Sequence, residues 1–144
     1  MGTVQSTYSD TIAVGYAGAI ANEEPRTLIS RDVEDAAGIA FGLAVMQGTA
    51  DKGCVVSDGT DFLGVTVRDQ SIEDGTSDVF AQYDSARIMT KGVIWVANSG
   101  GVSAGDAVAA LADGALATST GSDIVGARWE TTAADGELAQ LRLA

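Results

Sequence analysis

Phe62-Leu-Gly-Val-Thr-Val-Arg68 and Ile124-Val-Gly-Ala-Arg-Trp-Glu130 lie 62 positions apart, and each sets a large apolar pair ahead of a glycine. At the same offset Ala50-Asp51 matches Ala112-Asp113, Ser57 matches Ser119, Gly59 matches Gly121, Asp61 matches Asp123 and Gly64 matches Gly126. Six of the nineteen positions from 50 to 68 are thus identical. Just upstream, Gly42-Leu-Ala-Val45 is answered by Gly105-Asp-Ala-Val108, displaced by one residue that a loop can absorb. Each copy reads as strand, turn, strand, glycine-containing turn, strand. Two such units, about 40–70 and 103–133, can pack apolar faces together or close into one barrel. In both, the inward positions are expected to be apolar: Leu63, Val65 and Val67 in the first, Val125, Ala127 and Trp129 in the second. A chance match within a domain rich in Ala, Gly and Asp is the competing reading.

The remaining pattern also favours strands. Arg87-Ile-Met-Thr-Lys-Gly-Val-Ile-Trp-Val96 is rich in β-branched and aromatic residues, with Gly92 marking a bulge or kink. Ala139, Leu141 and Leu143 alternate with Gln140 and Arg142, as half-buried strands do. Two stretches, Glu34 to Met46 and Asp106 to Leu111, also tolerate a helical reading, which Gly38 and Gly42 weaken in the first. Residues 1–35 carry the only proline, Pro25, and a thin scatter of apolar groups that cannot build a core. The expected organisation is an all-β body, jelly-roll-like or a β-barrel, over residues 36–144, preceded by an extended N-terminal arm over residues 1–35. Gly42, Gly64, Gly105 and Gly126 are expected to serve as structural turns.

Residue inventory limits the chemistry. The chain has no histidine, which removes Ser/His/Asp and Cys/His nucleophile systems and the usual His-containing zinc sites. Gly48-Thr-Ala-Asp-Lys-Gly53 has the glycine spacing of a phosphate loop but continues Cys54-Val55, where that loop needs Lys then Ser or Thr. Asp58-Gly-Thr-Asp61 is turn sequence without the ligand spacing of a calcium loop. No catalytic site, metal site or cofactor is expected. Twenty acids against eight bases leave a net charge of −12, and no two bases sit within three residues of each other. Phosphate backbones would be repelled. No apolar run approaches the roughly 18 residues of a membrane span, and the N-terminus lacks the basic start and apolar centre of a secretory signal. Neither nucleic acid nor membrane is expected as a partner. Cys54, the single cysteine, sits beside Val55 and Val56 and reads as a buried small hydrophobe.

Tyr16-Ala-Gly-Ala-Ile-Ala-Asn-Glu-Glu-Pro25, Leu28-Ile-Ser-Arg31, Ala40-Phe-Gly-Leu-Ala-Val-Met-Gln-Gly-Thr49, Phe62-Leu-Gly-Val-Thr-Val-Arg-Asp-Gln70, Lys91-Gly-Val-Ile-Trp-Val96 and Val102-Ser-Ala-Gly-Asp-Ala-Val108 follow one another in an order that resembles the structural cement proteins of tailed-phage capsids. The resemblance implies a β-barrel or jelly-roll-like protein that is no enzyme. It would bind the outer surface of the virion's assembled shell and lock neighbouring major capsid protein subunits. Under that reading the arm makes the contacts, through Tyr8, Ile12, Tyr16, Ile20, Pro25 and Leu28. A capsid's symmetry axes invite a homodimer or homotrimer. Two rival classes share the composition: a β-rich receptor- or glycan-binding module of a phage or bacterium, which would need exposed aromatics, and a carboxylate-based hydrolase.

Overall fold

Strand β7, Ser85–Ser99, runs through the middle of the molecule and belongs to two closed rings at once. A computed structural model describes residues 15–71, 79–118 and 123–144. Within them the chain forms strands only. In the first ring, β1 (Thr27–Val33) lies parallel to β4 (Gly53–Val56), which lies antiparallel to β3 (Ala44–Gln47). β3 pairs with β5 (Gly64–Thr66), β5 with the first half of β7, and that half with β1, which closes the circle. In the second ring the latter half of β7 lies parallel to β9 (Leu116–Ala117), which lies antiparallel to β8 (Ala107–Ala110). β8 pairs with β10 (Asp123–Trp129), β10 with β11 (Leu138–Leu143), and β11 returns to β7. The order of parallel and antiparallel pairs is the same in both circles. β2 (Ile39–Ala40) and β6 (Val79–Phe80) form a separate small ladder beside the first ring.

Gly92 is where β7 passes from one ring to the other. Lys91 is the last residue opposite β1, at Thr27, and Gly92 the first opposite β11, at Leu143. Its φ of 127° suits glycine alone, and a Cβ there would stand 2.8 Å from that of Arg26. The expected kink in mid-strand is the hand-over point.

Two clusters fill the interior. One lies within the first ring: Val33, Val45, Cys54, Ala86 and Ile88, roofed by Ile39, Phe41 and Phe80, with Phe41 and Phe80 meeting edge to face at 5.0 Å. The other is built on Ile94, Val96, Val108, Leu116, Trp129 and Leu141 of the second ring, joined by Ala44, Val65 and Met89 from the opposite face of the first. Neighbouring residues such as Ile88 and Met89 therefore serve different cores, which is why adjacent positions of β7 are both buried there and again at Val93 and Ile94. The rings are also tied by backbone, since Ala44 N–H donates to the Gly114 carbonyl at 2.8 Å. Burying a Val, Leu or Ile side chain fully contributes about 1.5–3 kcal/mol.

The stretches that tolerated a helical reading are extended: Glu34 to Met46 contains β2 and β3, and Asp106 to Leu111 contains β8. Their apolar groups are needed on both faces of a sheet. Thr27–Val33, at the end of the expected arm, is drawn into the body as β1, because its alternating Leu28 and Ile29 find a core on either side. Gly42 and Gly105 sit in turns with φ of 77° and 92°. Gly64 and Gly126 do not; both lie within strands. Gly64 is buried where a Cβ would stand 2.5 Å from the Met89 carbonyl oxygen, so β5 can approach β7 only without a side chain. Gly126, with φ of 78°, sits where the β8–β10 register slips between Asp123 and Arg128. That bulge corrects one expectation. Val125 is turned out to solvent, 94% exposed, while Ala127 and Trp129 point inward.

Candidate functional site

The segment ahead of β1 is laid over the body. Gly18 N–H donates to the Trp95 carbonyl at 2.8 Å, Trp95 N–H to the Ala19 carbonyl at 2.8 Å, and Ala21 N–H to the Val93 carbonyl at 3.0 Å. Ile20 stands opposite Ile94 as an antiparallel bridge. Glycines permit this close approach. A Cβ at Gly18 would lie 2.9 Å from Phe41 Cβ, one at Gly42 would lie 3.0 Å from Gly18 N, and one at Gly15 would meet the Trp95 ring at 2.7 Å. Arg68 N–H donates to the Gly18 carbonyl at 2.8 Å, and its guanidinium lies 5.1 Å from the Tyr16 ring centre and 5.6 Å from that of Phe41.

Lower down the same segment, Glu24 meets Arg142 of β11 at 2.7 Å, and Arg142 meets Glu130 at 2.6 Å. The Arg142 hydrogen bond holds the Glu130 carboxyl below its usual range. Glu24 first and Glu130 second raise Arg142 further. The arm is thus pinned by backbone at Gly18 to Ala21 and by charge at Glu24.

Among the expected contact residues, Tyr8 and Ile12 lie outside the described residues. Tyr16 is 70% exposed and Pro25 is exposed at the corner before β1. Ile20 and Leu28 are half-buried against the shared core, so their side chains serve the body. Two exposed groups escaped the sequence reading. Tyr83, 82% exposed, occupies the turn ahead of β7 with φ of 72°, a left-handed conformation rare for an aromatic residue. Val125 is the other, and only the Gly126 bulge exposes it. Of the two tryptophans, Trp129 is buried and donates Nε1–H to the Ala117 carbonyl at 3.2 Å, and Trp95 lies against the Gly15 backbone.

The two decoy motifs have structural roles. The loop Gly48–Gly53 does bind an anion, but it is the protein's own: Thr49 and Ala50 N–H each donate to the Glu34 carboxylate at 2.8 Å. These bonds, Ala50's first, hold Glu34 below its usual range. At Asp58-Gly-Thr-Asp61, Asp58 Oδ1 accepts from Thr60 N–H at 2.8 Å and the Thr60 hydroxyl at 2.7 Å, closing a turn. A cleft of about 400 Å³ lies between the arm and the first ring, lined by Ile20, Val67, Arg68, Asp69, Ser71 and Arg87 among others. Asp69 is held below its usual range, chiefly by the Ser71 hydroxyl at 2.6 Å.

The fold recurs in phage heads. A chain of the capsid of Myoviridae phage XM1 superposes with a TM-score of 0.70 over 97% of this chain and 96% of that one, at 13% identity. The N base of head fiber gp8.5 in bacteriophage phi29 superposes with a TM-score of 0.59 over 83% and 95%, at 12% identity. A comparison with curated protein sequences gave no match. The class defined is therefore the all-β barrel shared with phage-head proteins. Residues 4–144 match the family described as structural cement protein (E217 gp24/Pam3 gp6), and the chain belongs to that family. It is a capsid decoration protein, a component of the virion that stabilises the head.

Proposed function

We propose that the protein coats the outer surface of the head and joins neighbouring major capsid protein subunits, acting as a homodimer or homotrimer without catalytic chemistry. Membership of the cement family over residues 4–144 carries this reading. Its physical support is an inert β-body whose exposed apolar groups, Tyr16, Tyr83 and Val125, stand on turns, a bulge and the arm rather than in a cavity. A net charge of −12 favours a protein surface over nucleic acid or an anionic membrane. Many modest contacts repeated over a lattice give avidity without one large interface. The arm contributes Tyr16 and Pro25 directly, with Tyr8 and Ile12 ahead of them.

The experiment is co-sedimentation with heads that lack the protein. Wild type is expected to pellet with heads and to raise their resistance to heat. A chain lacking residues 1–14, and a Tyr16→Ala/Tyr83→Ala/Val125→Ser chain, should keep the wild-type melting temperature within a few degrees and bind at least tenfold more weakly. Wild-type protein that leaves bare heads unbound would overturn the proposal.

A further inference from the structure

β1 and the second half of β7 hold equivalent places in their rings, and the chain treats their outer edges differently. On β7 the even residues face β11, as the Asn98 N–H to Glu137 carbonyl bond at 3.1 Å shows. Val93 and Trp95 therefore turn their backbone groups outward, where Gly18 to Ala21 covers them. On β1 the odd residues face β7, as the Val33 N–H to Asp84 carbonyl bond at 3.0 Å shows. Asp32 turns outward to the Lys52 carbonyl at 2.8 Å. Leu28 and Ser30 turn outward as well, and among the described residues no strand pairs with them. Among the described residues the Ser30 carbonyl takes the neighbouring Arg31 guanidinium at 3.0 Å, and Arg31 Nε is buried there with no partner among them. Ser30 thus stands where Trp95 stands, with the matching strand missing.

We propose that this open edge of β1 at Leu28 and Ser30 receives the N-terminal segment, residues 1–14, of a second copy of this chain as an added antiparallel strand. In the second ring the covering strand comes from the segment that precedes the first ring. Gly18 to Ala21 of the same chain is already engaged on β7, so the corresponding strand for the first ring is assigned to another copy. Direction agrees. From Ala21 at Val93 to Gly18 at Trp95 the chain runs toward the C-terminal end of β7, away from Gly92 and the first ring. Fourteen further residues reach up to roughly 46 Å when extended, at about 3.3 Å each. Their sequence suits a strand, with Val4, Tyr8, Ile12 and Val14 all in even positions and Asp10 the single charge. An open edge of this kind otherwise invites unregulated pairing.

This inference rests on the self-association part of the proposed function and names its site. Full-length chains carrying Ser30→Cys are mixed under mild oxidation with full-length chains carrying Thr3→Cys, Thr7→Cys or Thr11→Cys, and sedimentation equilibrium is run on wild type, Ser30→Pro and Ser30→Lys. Proline removes only the outward N–H of residue 30, and lysine places a charge on the edge while keeping that N–H. The expected result is a disulfide-linked heterodimer in at least one mixture, and self-association weakened at least tenfold in both Ser30 variants with melting temperatures kept. A chain that associates equally well with Ser30→Lys overturns the inference and leaves the association itself standing. So does the absence of a disulfide-linked heterodimer in all three mixtures, or a Ser30→Lys defect confined to binding heads. A wild type that is monomeric at all concentrations overturns both.

Discussion

Thr66 and Trp129 occupy the same position in their two rings. Thr66 exchanges backbone hydrogen bonds with the turn at Gly42 and Leu43, at 2.9 and 3.0 Å, and Trp129 does the same with Gly105 and Asp106, at 2.7 and 3.0 Å. One ring places a hydroxyl there, donated to the Ala40 carbonyl at 2.7 Å; the other places an indole.

Truncating this pair should cost different amounts for different reasons. Trp129→Ala empties the middle of the larger core and is expected to lose about 3–5 kcal/mol. Thr66→Val keeps the volume but strands the Ala40 carbonyl and the Leu43 N–H, each worth about 1–3 kcal/mol when left unsatisfied. Urea denaturation with unchanged m-values checks both. A Trp129→Ala variant that loses less than about 1 kcal/mol would contradict the assignment of the main core.

Gly64 and Gly126 should separate just as clearly despite matching in sequence. A methyl at Gly64 meets Ile88 Cγ2 and the Met89 carbonyl oxygen, both at 2.5 Å, inside a closed ring. Gly64→Ala is expected to cost 3 kcal/mol or more, roughly the upper end of overpacking penalties. Among the described residues Gly126→Ala meets only Ala144, and it carries the left-handed strain of about 1–2 kcal/mol. Thermal melts of the two variants test the order.

The Glu34 carboxylate, bonded to Thr49 and Ala50 N–H, gives the stability a pH dependence. Its folded-state pKa is lowered, so its contribution is fully present above the ordinary glutamate value near 4.3 and is lost as pH falls through the folded value. The melting-temperature gap between wild type and Glu34→Gln should therefore be open at pH 7 and close toward pH 3. A gap constant over that range would show that the carboxylate's charge is idle.

Cys54 is fully buried between β1 and β3, and desolvation first, then Asp35 and Glu34, push its thiol up to about 11. Ellman's reagent at pH 8 is expected to find no reactive thiol in the folded chain and one after denaturation. Rapid reaction of native protein would place Cys54 at the surface.

The alternation of Leu63, Val65 and Val67, the glycine punctuation and the 62-residue echo were enough to specify strands and an all-β body, because period-two burial and turn chemistry are local properties of a chain, while the cement family was legible only in the order of motifs from Tyr16 to Val108. Three outcomes depended on neighbours distant in sequence. Leu28 and Ile29 are too few to announce a strand, and β1 exists because β7 offers a core on each face. The Gly126 bulge slips β10 by one residue, which exposes Val125 and sets Trp129 rather than Arg128 opposite the role of Thr66. The difference between a covered edge at Trp95 and an open one at Ser30 is invisible in either residue, since hydrogen bonding along a strand edge is decided by what the rest of the fold brings alongside it.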